Sequence, residues 1–253
     1  MVRAGAAAAG VIVLPVRDNS LDRVARDAAR TRIGWFCLNR KMSNLRELRA
    51  EFPSVPIALV MPDQLEIGRI QGRQFRALLP QGGDILYVQG SSVTSSAQAR
   101  LAGMREVVAG SSVEVKDVLD GNWKADDTER TVGGWLRIVM GSKSARLDLI
   151  AAQSDRMAIG AINAVQSSAE YLRRPEIGRI PVAGCDGLPL VGQRLVNERK
   201  LVSTIIVPVT GRAAAQMIQR AFGSGEMPPP ETILSPRPYP ELAQLSPRSI
   251  SAA

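Results

Sequence analysis

The 253-residue chain contains no histidine. That removes the commonest general base and the commonest side-chain metal ligand. There are two cysteines, Cys37 and Cys185. They are too few for a disulfide framework, and they cannot make a zinc site without other ligands. Each stands at the end of an apolar run and reads as a buried free thiol. Only ten residues are aromatic, and no apolar run reaches the roughly 20 residues a bilayer span requires. With 45% hydrophobic and 22% charged residues, the composition is that of an ordinary globular protein, which excludes wholesale disorder, collagen and coiled coil.

The net charge of +8 comes from 32 basic and 24 acidic residues. A nucleic-acid surface needs such charge clustered and interleaved with stacking aromatics. Here it is scattered: the densest group, Arg17 to Arg32, alternates with Asp18, Asp22 and Asp27. A solvated basic surface is expected, with no nucleic-acid partner. At the start, Met1-Val2-Arg3 and the apolar run Ala4 to Leu14 look like a short secretory signal. No small-residue cleavage site follows, since Pro15-Val16-Arg17-Asp18 comes next. The expectation is a buried strand at Val11 to Leu14 and no visible export signal.

The rest of the chain repeats one pattern: a short apolar run, a polar turn, an amphipathic helix. Strands are expected at Val11–Leu14, Trp35–Leu38, Ile57–Met61, Ile85–Val88, Val113–Leu119, Leu147–Ala151, Pro181–Gly184 and Val202–Val207. Between them, apolar residues at helical spacing mark helices: Leu21, Val24, Ala25 and Ala28, for example, or Ile67, Ile70, Phe75 and Leu78. Alternation of this kind argues for α/β architecture, with parallel sheets covered by helices on both faces. After Gly225 the prolines at 228–230, 236, 238, 240 and 247 exclude a long helix. That tail is expected to lie extended, to dock in part around Tyr239 to Leu242, and to end loosely.

In parallel α/β sheets, ligands bind beyond the carboxyl ends of the strands. The residues there are Asn39 and Arg40; Gln89 and Gly90, with Arg100 one helical turn on; Asn122 and Trp123; Gln153, Ser154 and Asp155; and Cys185, Asp186 and Gly187. No nucleophile has a base beside it, there is no phosphate loop, and no metal or cofactor is implied. Planar hydrogen-bonding groups and one indole suit a neutral polyol, whose C–H face an aromatic ring can cover. Plainer roles stay open for several of these residues. Asp186-Gly187 is a turn signal, Trp123 could cap a core, Arg100 could form a surface ion pair, and Asp155 could be a helix N-cap.

Several stretches, in order, carry a family resemblance: Leu38-Asn39-Arg40, Ser95 to Met104, Gly121-Asn122-Trp123, Ala151 to Ala161, and Gly184-Cys185-Asp186-Gly187. From about Val11 to Val209 the chain resembles sugar-type periplasmic substrate-binding proteins of ABC transporters, whose lobes recur in LacI-type effector domains. The resemblance implies a two-lobed, type I periplasmic-binding-protein-like fold. Its N-terminal lobe (1–61 plus 208–226) is incomplete, because the strand-helix-strand unit that opens family members before Val11 is missing and leaves an apolar sheet edge. The C-terminal lobe is 62–207, with hinges near Met61 and Val207, and the tail is 227–253. Also implied are a sugar ligand held between the lobes by Asn39, Arg40, Arg100, Trp123, Ser154 and Asp186, no enzymatic activity, an ABC permease partner and a periplasmic location. Ser154 stands where ribose binders carry Asn, and they carry a Gln near Val207 and a polar residue near Leu14. A ligand-sensing effector domain and a truncated remnant that binds nothing are the alternative readings.

Overall fold

The computed structural model describes residues 9–247. The first part of the N-terminal apolar run and the last residues of the tail lie outside them. In chain order, the first elements are β1 (Gly10–Val13), α1 (Asp22–Arg30), β2 (Gly34–Leu38), α2 (Leu45–Glu51), β3 (Ile57–Pro62), α3 (Gln64–Leu78) and β4 (Gly83–Gln89). Next come α4 (Ser95–Val108), β5 (Val113–Asp120), α5 (Ala125–Val139), β6 (Leu149–Ala152), α6 (Asp155–Leu172) and β7 (Val182–Ala183). The last are α7 (Arg194–Asn197), β8 (Thr204–Ile206), α8 (Thr210–Gly223), β9 (Glu231–Leu234) and β10 (Arg237–Tyr239). The chain divides into two compact units: Met1–Asp63 with Pro208–Ser235, and Gln64–Val207 with Pro236–Ala253.

In the first unit the sheet order is β1-β2-β3-β9, parallel throughout. Side chains alternate across a strand, so the fully buried β2 feeds two cores. Trp35 and Cys37 pack with Ala25 and Ala29 of α1 and Leu45 and Leu48 of α2. Phe36 and Leu38 pack with Ala214 of α8. Burying each large apolar side chain contributes roughly 1.5–3 kcal/mol, which explains why β2 reads as an unbroken apolar run. Two elements here were not expected from the sequence, the short helix α2 and the fourth strand. That strand comes from the proline-rich tail, where Glu231–Leu234 pairs with Leu59–Pro62. On the other side β1 pairs, among the described residues, with β2 alone, and Ile12 and Leu14 are exposed beside that edge.

In the second unit the order is β5-β4-β6-β7, again parallel, formed by the four runs expected for it. One face carries a core with Phe75, Leu78, Ile85, Tyr87, Met104 and Leu149. The other carries Leu86, Val88, Val132, Leu136, Ile150 and Met157. The runs at 181–184 and 202–207 shrink to β7 and β8, and single bridges Ala183↔Ser203 and Asp186↔Ile206 continue the parallel order. The tail docks here as well: β10 runs antiparallel to β8, Tyr239 Oη donates to Asn197 Oδ1 at 2.7 Å, and Leu245 is buried. The tail expected as one segment, 227–253, is therefore shared between the units, and the chain passes between them at Ser235–Pro236 as well as near Asp63 and Val207.

Helices α3 and α4 approach closely because glycines line their contact. A Cβ on Gly68 would lie 2.0 Å from the Arg100 carbonyl oxygen, and one on Gly103 would lie 2.1 Å from that of Leu65. Backbone cannot yield as a flexible side chain can. Gly103→Ala should therefore destabilise the second unit by about 1–3 kcal/mol. Gly134→Ala, on the solvent side of α5 with open space at its Cβ, should instead gain about 0.5–1 kcal/mol. Urea unfolding of both variants checks the contrast, and equal effects would remove the glycine contact as the reason for the close packing.

Candidate functional site

Parallel strands deliver their carboxyl ends to one edge of the second unit. The sequence places the chemistry there in the first residues after each strand. Behind β4, the Thr94 side chain caps α4 by accepting from the Ala97 N–H, and Arg100 follows within two turns. Its side chain is only 7% exposed. Nε donates to Gln64 Oε1 at 2.8 Å, and Nη1 donates to the Gln153 carbonyl and to Cys185 Sγ. The surface ion-pair role is thus excluded for Arg100.

Asp186, beyond β7, has φ +119° and precedes Gly187 at φ +58°. The turn expected from Asp-Gly is present, and it aims the carboxylate at Arg100: Oδ1 lies 4.0 Å from Nη1, with 41% of the Asp186 side chain exposed. At that separation the two groups attract without a hydrogen bond, and both keep capacity for a third partner. Trp123 completes the group. Asn122 and Trp123 both adopt left-handed φ, +52° and +62°, which folds the indole back over Gly90. A Cβ on Gly90 would lie 2.0 Å from the ring, so the close approach requires glycine. The Arg100 guanidinium carbon sits 5.5 Å from the ring centroid, within cation–π range.

The capping role expected of Asp155 falls to its neighbour Ser154. The N-cap of α6 is Ser154, whose Oγ accepts from the Met157 N–H. The Asp155 carboxylate instead turns inward, accepting from Thr204 Oγ1 at 2.6 Å and from the Gly187 N–H at 2.8 Å. It thereby holds the loop that carries Asp186. Asn39 and Arg40 belong to the first unit, at the end of β2: Asn39 has φ +59°, and Arg40 Nη1 donates to the Asn39 carbonyl at 2.9 Å. Of the six expected site residues, Arg100, Trp123 and Asp186 form one cluster, with Ser154 at the start of the adjoining helix. Gln64 as a partner of Arg100, and the inward contacts of Asp155, were not expected from the sequence. Both cysteines are buried free thiols.

Burial governs the electrostatics. It pushes the Asp186 carboxyl up to about 7, against the opposing pull of Arg100, and the Asp155 carboxyl up to about 6, against its hydrogen bonds from Thr204 and Gly187. Burial also raises both thiols, Cys37 to about 12, so neither is a nucleophile at neutral pH. Among the described residues no group of three metal-ligating side chains occurs, and no helix is long and apolar enough to cross a membrane. What the cluster offers is a carboxyl, a guanidinium and an indole face, a set that hydrogen-bonds neighbouring hydroxyls and stacks on a C–H face.

A family model described as a periplasmic binding protein domain matches residues 1–226. The chain is similar to a D-ribose/D-allose-binding protein of Pseudomonas aeruginosa, 24% identical over 59% of this chain and 43% of the relative. It is also similar to a fructose import binding protein of Bifidobacterium longum, 25% identical over 83% of this chain and 60% of the relative. The chain thus spans about half the length of these curated relatives. An ABC transporter periplasmic solute binding protein from Actinobacillus succinogenes, solved with bound D-allose, matches 97% of this chain and 79% of its own length. The TM-score is 0.75 at 16% identity, a likeness in fold.

With no histidine in the chain, the raised carboxyls of Asp155 and Asp186 link stability to pH near 6 and 7. A folded-state pKa above the unfolded value, near 3.9, means that the native state holds protons the unfolded chain has released. The stabilising contribution is fully present below about pH 4 and is lost as pH rises through about 6 and 7. Urea midpoints should therefore decline across that window. Asp186→Asn should raise the midpoint more at pH 8 than at pH 5, by a moderate amount because the side chain is partly solvated. The same gain at both pH values would show that Asp186 does not titrate in this window.

Proposed function

We propose that this chain, which belongs to the periplasmic binding protein domain family, binds a sugar or related polyol at the carboxyl-end edge of its second unit, for delivery to an ABC permease in the periplasm. The observation that carries the reading is the Arg100–Asp186 pair. Its groups stand 4.0 Å apart, with 41% of the Asp186 side chain exposed, and the Arg100 guanidinium lies over the Trp123 indole ring. A hydroxyl of the ligand can donate to Asp186 while its neighbour accepts from Arg100, and the apolar face of the sugar ring lies on Trp123. Ser154 borders this group. In the first unit, Asn39 and Arg40 are the candidate ligand contacts. The role is binding without catalysis, since the cluster pairs no nucleophile with a base.

The relatives support this choice of ligand class through what they bind: D-ribose or D-allose in one case, fructose in another. A pair of opposite charges also suits a neutral ligand. An anion would face Asp186 and a cation would face Arg100, each at a Coulombic cost that low-dielectric surroundings enlarge.

A charge-assisted hydrogen bond is worth about 1.5–3 kcal/mol, so Asp186→Ala should weaken binding roughly ten- to a hundredfold with the fold retained. Calorimetric titration against a panel of pentoses, hexoses and cyclic polyols measures this. Equal affinity in wild type and variant would return Asp186 to the role of a turn residue, and an absence of binding across the panel would overturn the reading.

A further inference from the structure

Beneath the Arg100 cluster lies a closed set of buried polar side chains that no ligand contact explains. Tyr87, Gln71 and Gln153 are each 0% exposed. The Tyr87 hydroxyl donates to Gln71 Oε1 at 2.6 Å and accepts from Gln153 Nε2 at 3.2 Å. Gln71 Nε2 donates to the Ala152 carbonyl at 3.1 Å. The Gln153 amide is fully used: its second N–H goes to the Ala97 carbonyl at 3.0 Å, and its Oε1 accepts from the Gly90 N–H at 3.0 Å. One side chain thus ties the end of β6 to the helical turn just before Arg100 and to the glycine on which Trp123 rests. The backbone carbonyl of the same residue receives Arg100 Nη1.

The core itself does not require this polarity. Tyr87 packs edge-on to Phe75 with ring centroids 6.4 Å apart, and a phenylalanine would fill the same space. Buried polar groups add little net stability even when satisfied and cost much when they are not. What a satisfied network adds is direction: each hydrogen bond has a preferred geometry, whereas apolar packing tolerates rotation. Arg100 needs such direction, because a guanidinium on a long flexible side chain meets a ligand productively in few of its rotamers.

We infer that Tyr87 and Gln153 are positioning residues, which never touch the ligand but hold the Arg100 guanidinium in the binding geometry; this rests on the site reading above. Tyr87 acts at one remove, by fixing the Gln153 amide from below, with Gln71 holding the hydroxyl in turn.

Tyr87→Phe deletes one oxygen and leaves Gln71 Oε1 and one Gln153 N–H without partners. Sugar affinity should fall about five- to tenfold in an otherwise wild-type background and should not fall further in an Arg100→Ala background. A merely structural loosening would weaken both backgrounds alike, and that outcome would overturn the inference. A second readout needs no ligand. The Arg100 Nε–H, bonded to Gln64, gives a side-chain 15N–1H signal that can be assigned by its loss in Arg100→Lys. Its hydrogen exchange should accelerate at least tenfold in Tyr87→Phe while the backbone amides of β4 and β6 keep their protection. Unchanged Nε–H exchange would also overturn the inference. If Tyr87→Phe does not fold, Gln71→Met disturbs the same hydroxyl from the far side and carries the same expectations. Should Arg100→Ala and Asp186→Ala leave titrations untouched, the site reading fails, and the exchange measurement still decides whether the network orients Arg100.

Discussion

A guanidinium cannot escape burial by losing its proton, and that constraint organises the second unit. Arg100 is almost fully enclosed, so the fold has to supply its partners. Gln64 comes from the start of α3, the Gln153 carbonyl from the end of β6, and Cys185 and Asp186 from beyond β7. These elements are far apart in sequence and meet only because four parallel strands finish at one edge and α3 and α4 pack closely enough for Gln64 to reach. The glycines between those helices therefore serve the charge as much as the packing. Losing Gln64 or the Gln153 carbonyl would leave buried guanidinium N–H groups without partners, which is costlier than losing an exposed ion pair.

The parts of this arrangement that the sequence displays are those written in local periodicity. Unbroken apolar runs such as Ile85–Val88 are strands buried on both faces, and strands beyond which Arg100, Trp123 and Asp186 follow must bring them to a common edge. The tail was less legible. Glu231–Leu234 is four residues long, flanked by prolines and half exposed on an edge strand, so it carries neither a buried run nor a clean alternation. Its partner β3 lies some 170 residues away, and nothing local announces the pairing. The prolines correctly excluded a helix, yet they are compatible with edge strands, where a missing N–H does little harm. Pro238 sits in β10 opposite Ile205 on those terms.

Ser154 and Asp155 show why adjacent polar residues at a helix start are hard to assign. Both are good caps, and the choice between them depends on what lies on the far side. Thr204 and the Gly187 N–H, brought up by β8 and the loop after β7, make an inward pocket that fits a carboxylate better than a hydroxyl, so Asp155 turns in and Ser154 caps. The polar layer under Arg100 did leave a trace. Gln64, Gln71 and Gln74 lie seven and three residues apart, on the same face of α3 as Ile67 and Phe75. Glutamine repeating on an otherwise apolar helical face indicates a buried hydrogen-bond network, and Tyr87, inside a strand of aliphatic residues, points the same way.

The distribution of strain and satisfaction across this edge separates two kinds of residue. Gln153, Ser154, Asp155 and Tyr87 are buried with hydrogen bonds that fix them. Asn122, Trp123 and Asp186 occupy positive φ, which side chains rarely adopt, and the Asp186 carboxyl has its ionised form disfavoured by burial. Residues held in costly conformations persist only where their surroundings overdetermine them. The satisfied layer supplies that determination: Asp155 grips the Gly187 N–H, and Gln153 grips the Gly90 N–H. The strained backbone positions at this edge are thus set against a support of buried, hydrogen-bonded side chains. An interior optimised for stability alone would have no reason to keep the Arg100 and Asp186 charges side by side at 4.0 Å without a hydrogen bond between them.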